Sequence, residues 1–141
     1  MNYQVNLLAV VIATVLQFAV GAVWYTFIFG KLWGDIHGFH KLPKETQDKM
    51  KKDITPYYAL QLFVTILATI VLSILITNLP QSNPYVVAFL VWLGFTVPAQ
   101  ASAIIFGNDD KKWLVKKLSV QAGAALACLE VAALVLSMFS R

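Results

Sequence analysis

The stretch VNLLAVVIATVLQFAVGAVWYTFIF, Val5 to Phe29, runs without one charged side chain. A bilayer core about 30 Å thick takes roughly 20 residues of helix at about 1.5 Å each, so this stretch alone is long enough to cross it. It is also longer than the roughly 7–15 residues of a signal-peptide apolar region, and no basic residue stands in Met1-Asn2-Tyr3-Gln4 before it. It is therefore expected to be retained as a first span. Three further runs of the same kind follow. The expected fold is all-α and integral to the membrane: a four-transmembrane-helix bundle in one domain over 1–141, with spans at about 5–29, 56–78, 84–106 and 110–139.

Composition points the same way. Hydrophobic residues make up 59% of the chain and charged ones 13%, against roughly a quarter charged in soluble domains. The net charge of +4 does not imply nucleic acid, because ten of the 11 basic residues flank the apolar runs. There each is worth about 1 kcal/mol against an anionic leaflet. Membrane lipids, with anionic headgroups at the cytoplasmic face, are the expected partners. Lys31, Lys41, Lys44, Lys49, Lys51 and Lys52 follow the first run, and Lys111, Lys112, Lys116 and Lys117 follow the third, with Arg141 alone on the other side. The positive-inside bias then makes this a multi-pass protein of the inner (plasma) membrane, with both termini outside and loops 30–55 and 107–112 cytoplasmic.

Local signals mark the ends of the spans. Thr55-Pro56 and Asn83-Pro84 each place a capping side chain before a proline at the first helical position. Gly30 and Gly107 follow Phe29 and Phe106 and are expected to end their helices in the left-handed conformation. Pro98, inside the third span, predicts a kink near Gly94. Leu42, Met50 and Ile54 recur at multiples of four on a charged background, predicting a short cytoplasmic amphipathic segment between the first and second helices. The matched triplets Ile28-Phe29-Gly30 and Ile105-Phe106-Gly107 raise a duplicated helical hairpin, against the plainer reading that Phe-Gly is a common interfacial helix end. In the fourth span Ser119, Gly123 and Ala127 form a small-residue face suited to close helix packing. That face could serve a homo-oligomer or the packing of the fourth helix within the chain.

Chemistry is sparse. Glu130 is the one ionisable side chain well inside a span. With no cation near its depth it is expected as a neutral acid bonded to Gln17 or Thr14, which lie at about that depth. Trp24, Tyr25, Gln100 and Gln121 fall in the cytoplasmic half and could line a ligand recess beside the Pro98 kink, or the amides could join helices. His37 and His40, near Asp35, give only one side of a metal site. Asp109 and Asp110 are expected to cap the fourth helix. Cys128 has no cysteine partner and reads as a packed thiol. No nucleophile motif, phosphate loop or metal signature occurs, so no catalytic residue, metal or cofactor is expected.

Gly21-Ala22-Val23-Trp24-Tyr25-Thr26, Phe29-Gly30-Lys31-Leu32-Trp33 and Val91-Trp92-Leu93-Gly94-Phe95-Thr96-Val97-Pro98 resemble, in order, the hallmark segments of domain-of-unknown-function family 1761. The resemblance extends over nearly the whole chain. It implies a small four-helix membrane protein and brings no activity, substrate or catalytic residue with it. This chain departs from the family's pattern at Ala99, where a threonine often follows the proline, and at Ala124-Ala125, where a Tyr-His pair is frequent. Two functions fit these readings: binding or transport of a lipid, small amphiphile or ion in an intramembrane recess, and an accessory role through helix–helix association. An enzyme is the least expected class.

Overall fold

The computed structural model describes residues 1–139; Arg141, the one basic residue expected at the outer side, lies outside them. The described chain is helical, with no strand. Helix α1 (Leu7–Val23) continues through a π-helical turn at Trp24–Ile28, and α2 (Gly30–Ile36) and α3 (Lys44–Ile54) occupy the long connection. Helix α4 (Tyr57–Asn78) follows. Then α5 (Pro84–Val91), a second π-helical turn at Trp92–Thr96 and α6 (Val97–Phe106) form one continuous rod, and α7 (Leu114–Phe139) closes the chain. Four segments are long and apolar enough to cross a membrane: Leu7–Ile28, Tyr57–Asn78, Pro84–Phe106 and Lys111–Phe139.

Helix α7 packs against α1, α4, α5 and α6. It is the most enclosed of the four, with 33% of its apolar segment buried against 6% for the α5–α6 rod. The reason is side-chain size. Ala122, Ala124, Ala132 and Ala133 are buried on α7, and Ala132 and Ala133 share one core cluster with Ala9, Val10 and Ala13 of α1, Leu72 and Ile76 of α4, and Val87 and Ala88 of α5. Short side chains bring backbones close, and dispersion rather than hydrophobic exclusion then holds helices together in an apolar solvent.

The helix ends follow the sequence in part. Asn83 Oδ1 accepts the Tyr85 N–H at 2.9 Å with Pro84 at the first position, as the cap reading requires. Asn6 does the same for α1, accepting the Ala9 N–H at 3.1 Å. Thr55 does not cap α4. It stays in the right-handed helical region as α3 runs on, and its hydroxyl donates back to Lys51 O at 3.0 Å. Neither Gly30 nor Gly107 is left-handed. Gly30 opens α2, and Gly107 is extended; a glycine is needed there because a Cβ would stand 2.7 Å from Ala103 O in the last turn of α6. The left-handed glycine is Gly38, at φ 66°.

The amphipathic segment is realised as α3, which carries Met50 and Ile54 on one edge and has no buried residue; Leu42 precedes it. The irregularity expected near Gly94, one turn before Pro98, is the π-helical turn Trp92–Thr96. There the Val97 N–H reaches Trp92 O, five residues back, in place of the strict fourth-residue pairing that a proline ring disrupts. The other π-helical turn makes the same bond, from Phe29 N–H to Trp24 O at 2.8 Å. Equivalence between the first and third spans thus lies in Val23-Trp24 and Val91-Trp92, each opening a π-helical turn, and not in the Ile-Phe-Gly triplets.

Candidate functional site

The four residues expected to line a cytoplasmic recess share no side-chain hydrogen bond with one another. Trp24 points at α7 and donates its indole N–H to Val120 O at 3.0 Å. The Tyr25 ring meets Trp33 edge-on at 4.9 Å. Gln121 is half-buried on α7, and Gln100 on α6 keeps its Oε1 buried without a hydrogen-bond partner. No hydrogen bond joins Gln100 to Gln121. Pro98 is exposed on α6. Of these five, only Trp24 borders a described cavity, a notch of about 260 Å³ bounded also by Ala19, Val20, Val23 and Ile28.

Glu130 is half-buried on α7 and makes no hydrogen bond or ion pair among the described residues. Gln17, its expected partner, turns to α4: its amide donates to Thr69 Oγ1 at 2.7 Å and to Ala13 O at 3.3 Å. The reason lies in α4, where Gln61, Thr65, Thr69 and Ser73 recur every four residues and form one polar stripe facing α1. Thr69 and Thr65 return their hydroxyl protons to carbonyls one turn back, at 2.7 and 2.8 Å. Thr14, the other expected partner, is buried with its Oγ1 unpaired.

At one end of this stripe the helices part around a cavity of about 1040 Å³. It lies where α1 begins, α4 ends and α7 ends, closed on one side by the α4–α5 connection. Its floor is Ala9, Ser73, Ile76 and Leu136, and its rim includes Asn2, Asn6, Thr77, Asn83 and Tyr85. None of the described lining residues is charged. Ser73 is the informative member: it is only 7% exposed, and its hydroxyl has no partner among the described residues, unlike Thr65 and Thr69 on the same stripe. Sequence reasoning missed this place because Asn83 reads singly as a cap and Asn2 and Asn6 carry no motif of their own. The available signal was their accumulation, with Gln4, Asn78, Gln81 and Ser82, at one end of the molecule.

The profile described as "Protein of unknown function (DUF1761)" matches residues 8–137. The chain belongs to the DUF1761 family. No curated protein and no solved structure matched it.

At its opposite, basic end this DUF1761 protein uses its lysines internally. Lys111 Nζ donates to Ile104 O, Ile105 O and Gly107 O at 3.2, 2.5 and 3.1 Å, satisfying the last carbonyls of α6. Asp110 caps the turn that leads into α7 by accepting the Lys112 N–H at 3.1 Å, and it pairs with the Lys112 ammonium at 3.0 Å. Asp109 is not a cap. It holds the buried Lys117 at 2.8 Å. The hydrogen bond from Lys117 keeps the Asp109 carboxyl below the usual carboxylate range, and that from Lys112 does the same for Asp110. The Lys116 ammonium lies 5.1 Å from the Trp113 ring centre. Tyr25, Trp33 and His37 stack in sequence, with His37 4.4 Å from Trp33.

Proposed function

We propose that this protein is a multi-pass protein of the plasma membrane that binds a small molecule in the cavity around Ser73, reached from the extracytoplasmic side. Ser73 carries the reading. The residue is 7% exposed and its hydroxyl lacks a partner among the described residues, which leaves that group to water or to a ligand in the cavity. It stands on the floor of a cavity at the upper end of the size range of ligand sites, which is roughly 300–1,000 Å³. The mixture of apolar wall and few polar groups suits an amphiphile better than an ion. Orientation rests on the lysines: those of the α2–α3 connection and of the α6–α7 connection share one end of the bundle, and the cavity is at the other. Binding is favoured over an accessory role because the small face at Gly123 is occupied within the chain by Trp24.

Two measurements test this. Reporter domains inserted after Gln81 and after Lys49 report side: activity that requires export is expected at Gln81 alone, and the reverse pattern overturns the orientation. Native mass spectrometry of protein released from its own membrane is expected to show a retained small-molecule adduct that Ser73→Phe abolishes with helicity intact. An adduct-free wild type, or an adduct indifferent to Ser73→Phe, sinks the binding role.

A further inference from the structure

We propose that the Ser73 cavity takes an uncharged, oxygen-rich headgroup of the sugar or glycerol type; this rests on the binding role proposed above and names its ligand class. The inference starts from three asparagines. Asn2, Asn6 and Asn83 each use the side-chain oxygen on a nearby backbone N–H, those of Gln4, Ala9 and Tyr85, at 2.9, 3.1 and 2.9 Å. Each amide oxygen is thereby fixed as the capping atom, and each NH2 group has no partner among the described residues. All three residues line the cavity. An amide NH2 can only donate, so the rim presents donors and calls for acceptor oxygens. Ser73 and Thr77 add hydroxyls that donate or accept.

Charge favours a neutral group. A phosphate, carboxylate or ammonium taken out of water needs a counter-charge, and none of the described lining residues supplies one. Helix dipoles do not replace it. The positive ends of α1 and α5 meet at this cavity, but so do the negative ends of α4 and α7, and opposed partial charges offset one another. Hydroxyl and ether oxygens on a neutral group satisfy amide donors without that cost. Ile76, Leu136, Tyr85 and Phe139 meanwhile offer apolar contact to an attached chain.

The test uses three amphiphiles with the same eight-carbon chain, octyl glucoside, octyl sulfate and octyltrimethylammonium, titrated into the full chain held in amphipol. The side-chain NH2 resonances of Asn6 and Asn83 are followed by NMR. Octyl glucoside is expected to shift both saturably, and the two ionic chains are not. Asn83→Asp and Asn6→Asp keep the capping oxygen, since aspartate caps as well as asparagine, but remove the donor. Each is expected to weaken octyl glucoside by about tenfold, the effect of one hydrogen bond worth about 1.4 kcal/mol. Equal or tighter binding of octyl sulfate, or aspartate variants that bind octyl glucoside unchanged, overturns the ligand class and leaves the cavity as a binding site. If no amphiphile moves the asparagine resonances, or Ser73→Phe leaves the titration unaltered, the binding role itself fails.

Discussion

The indole of Trp24 fills the space that a side chain at Gly123 would need: a Cβ on Gly123 would lie 2.7 Å from Cζ2 of that ring. The ring cannot simply swing aside, because its N–H is bonded to Val120 O on the same helix. Trp92 reaches α7 in the same way, donating to Ala122 O at 2.7 Å. Val120 and Ala122 are two residues apart, hence at nearly one depth and about 200° around the helix. Two indoles therefore grip α7 from opposite sides.

Gly123→Ala is expected to destabilise the protein despite alanine's better helix propensity. The propensity gain is about 1 kcal/mol, whereas overpacking against a pinned ring costs about 1–3 kcal/mol. Gly123→Leu is expected to cost more. Thermal unfolding in detergent measures both, and Trp24→Phe, which removes the clashing six-membered half of the indole, should relieve much of the Gly123→Ala penalty. Full additivity of the two changes would show that the ring and the glycine are not in contact.

Trp24→Phe and Trp92→Phe each delete one donor to α7. Each is expected to cost about 0.5–1.5 kcal/mol for the hydrogen bond, plus the lost ring area. The acceptor carbonyls keep their own helical partners, so no buried group is orphaned and neither variant should unfold. Loss of helicity in the Trp92 variant would mean that the π-helical turn depends on this bond for its existence.

Thr69→Val removes the hydroxyl that receives the Gln17 amide and leaves the amide buried on one fewer partner. A loss of about 1–3 kcal/mol is expected, against about 1 kcal/mol or less for Thr69→Ser, which keeps the oxygen. If valine is tolerated as well as serine, the polar stripe of α4 is not what joins it to α1.

Asp109 governs the acid limb. Its folded-state pKa is depressed by Lys117, so its contribution is complete above the ordinary aspartate value of about 3.9. It is lost as pH falls through the lower folded value. Stability should be flat with respect to this group from neutral pH down to about 5 and should decline below about 4. Asp109→Asn should lower the melting temperature at pH 7 and flatten that decline, because the buried Lys117 then lacks its counter-ion at every pH. An unchanged acid limb in Asp109→Asn would assign it to other carboxyls.

Much of the helical architecture was legible because its signals are strong: uninterrupted apolar runs long enough to cross a bilayer, and a proline directly after Asn83. Caps and packing were legible where one residue decides them, as at Asn83. Thr55 and Gly107 were misread for different physical reasons. A threonine can bond backward into the preceding helix as easily as forward, and a glycine can answer a nearby carbonyl as well as a positive φ. The site was the least legible part. The Pro98 region attracted attention as irregular backbone, but its irregularity is absorbed within the helix. The cavity is assembled from segments 70 and 130 residues apart in the chain, none of which carries a distinctive motif. Glu130, the most conspicuous single residue of the sequence, has no partner among the described residues, whereas the inconspicuous Ser73 stands on a cavity floor.

The π-helical turn at Trp92–Thr96 holds one residue more than an α-helix would use for the same path. Deleting Gly94 alone would let the rod close into regular α-helix and leave the later side chains facing as they do now, Ile104 buried and Phe106 87% exposed. The same deletion at Ala101, within regular α-helix, would turn every later side chain by about 100°. The wider turn is thus a place where the rod can lose a residue and keep its angular phase.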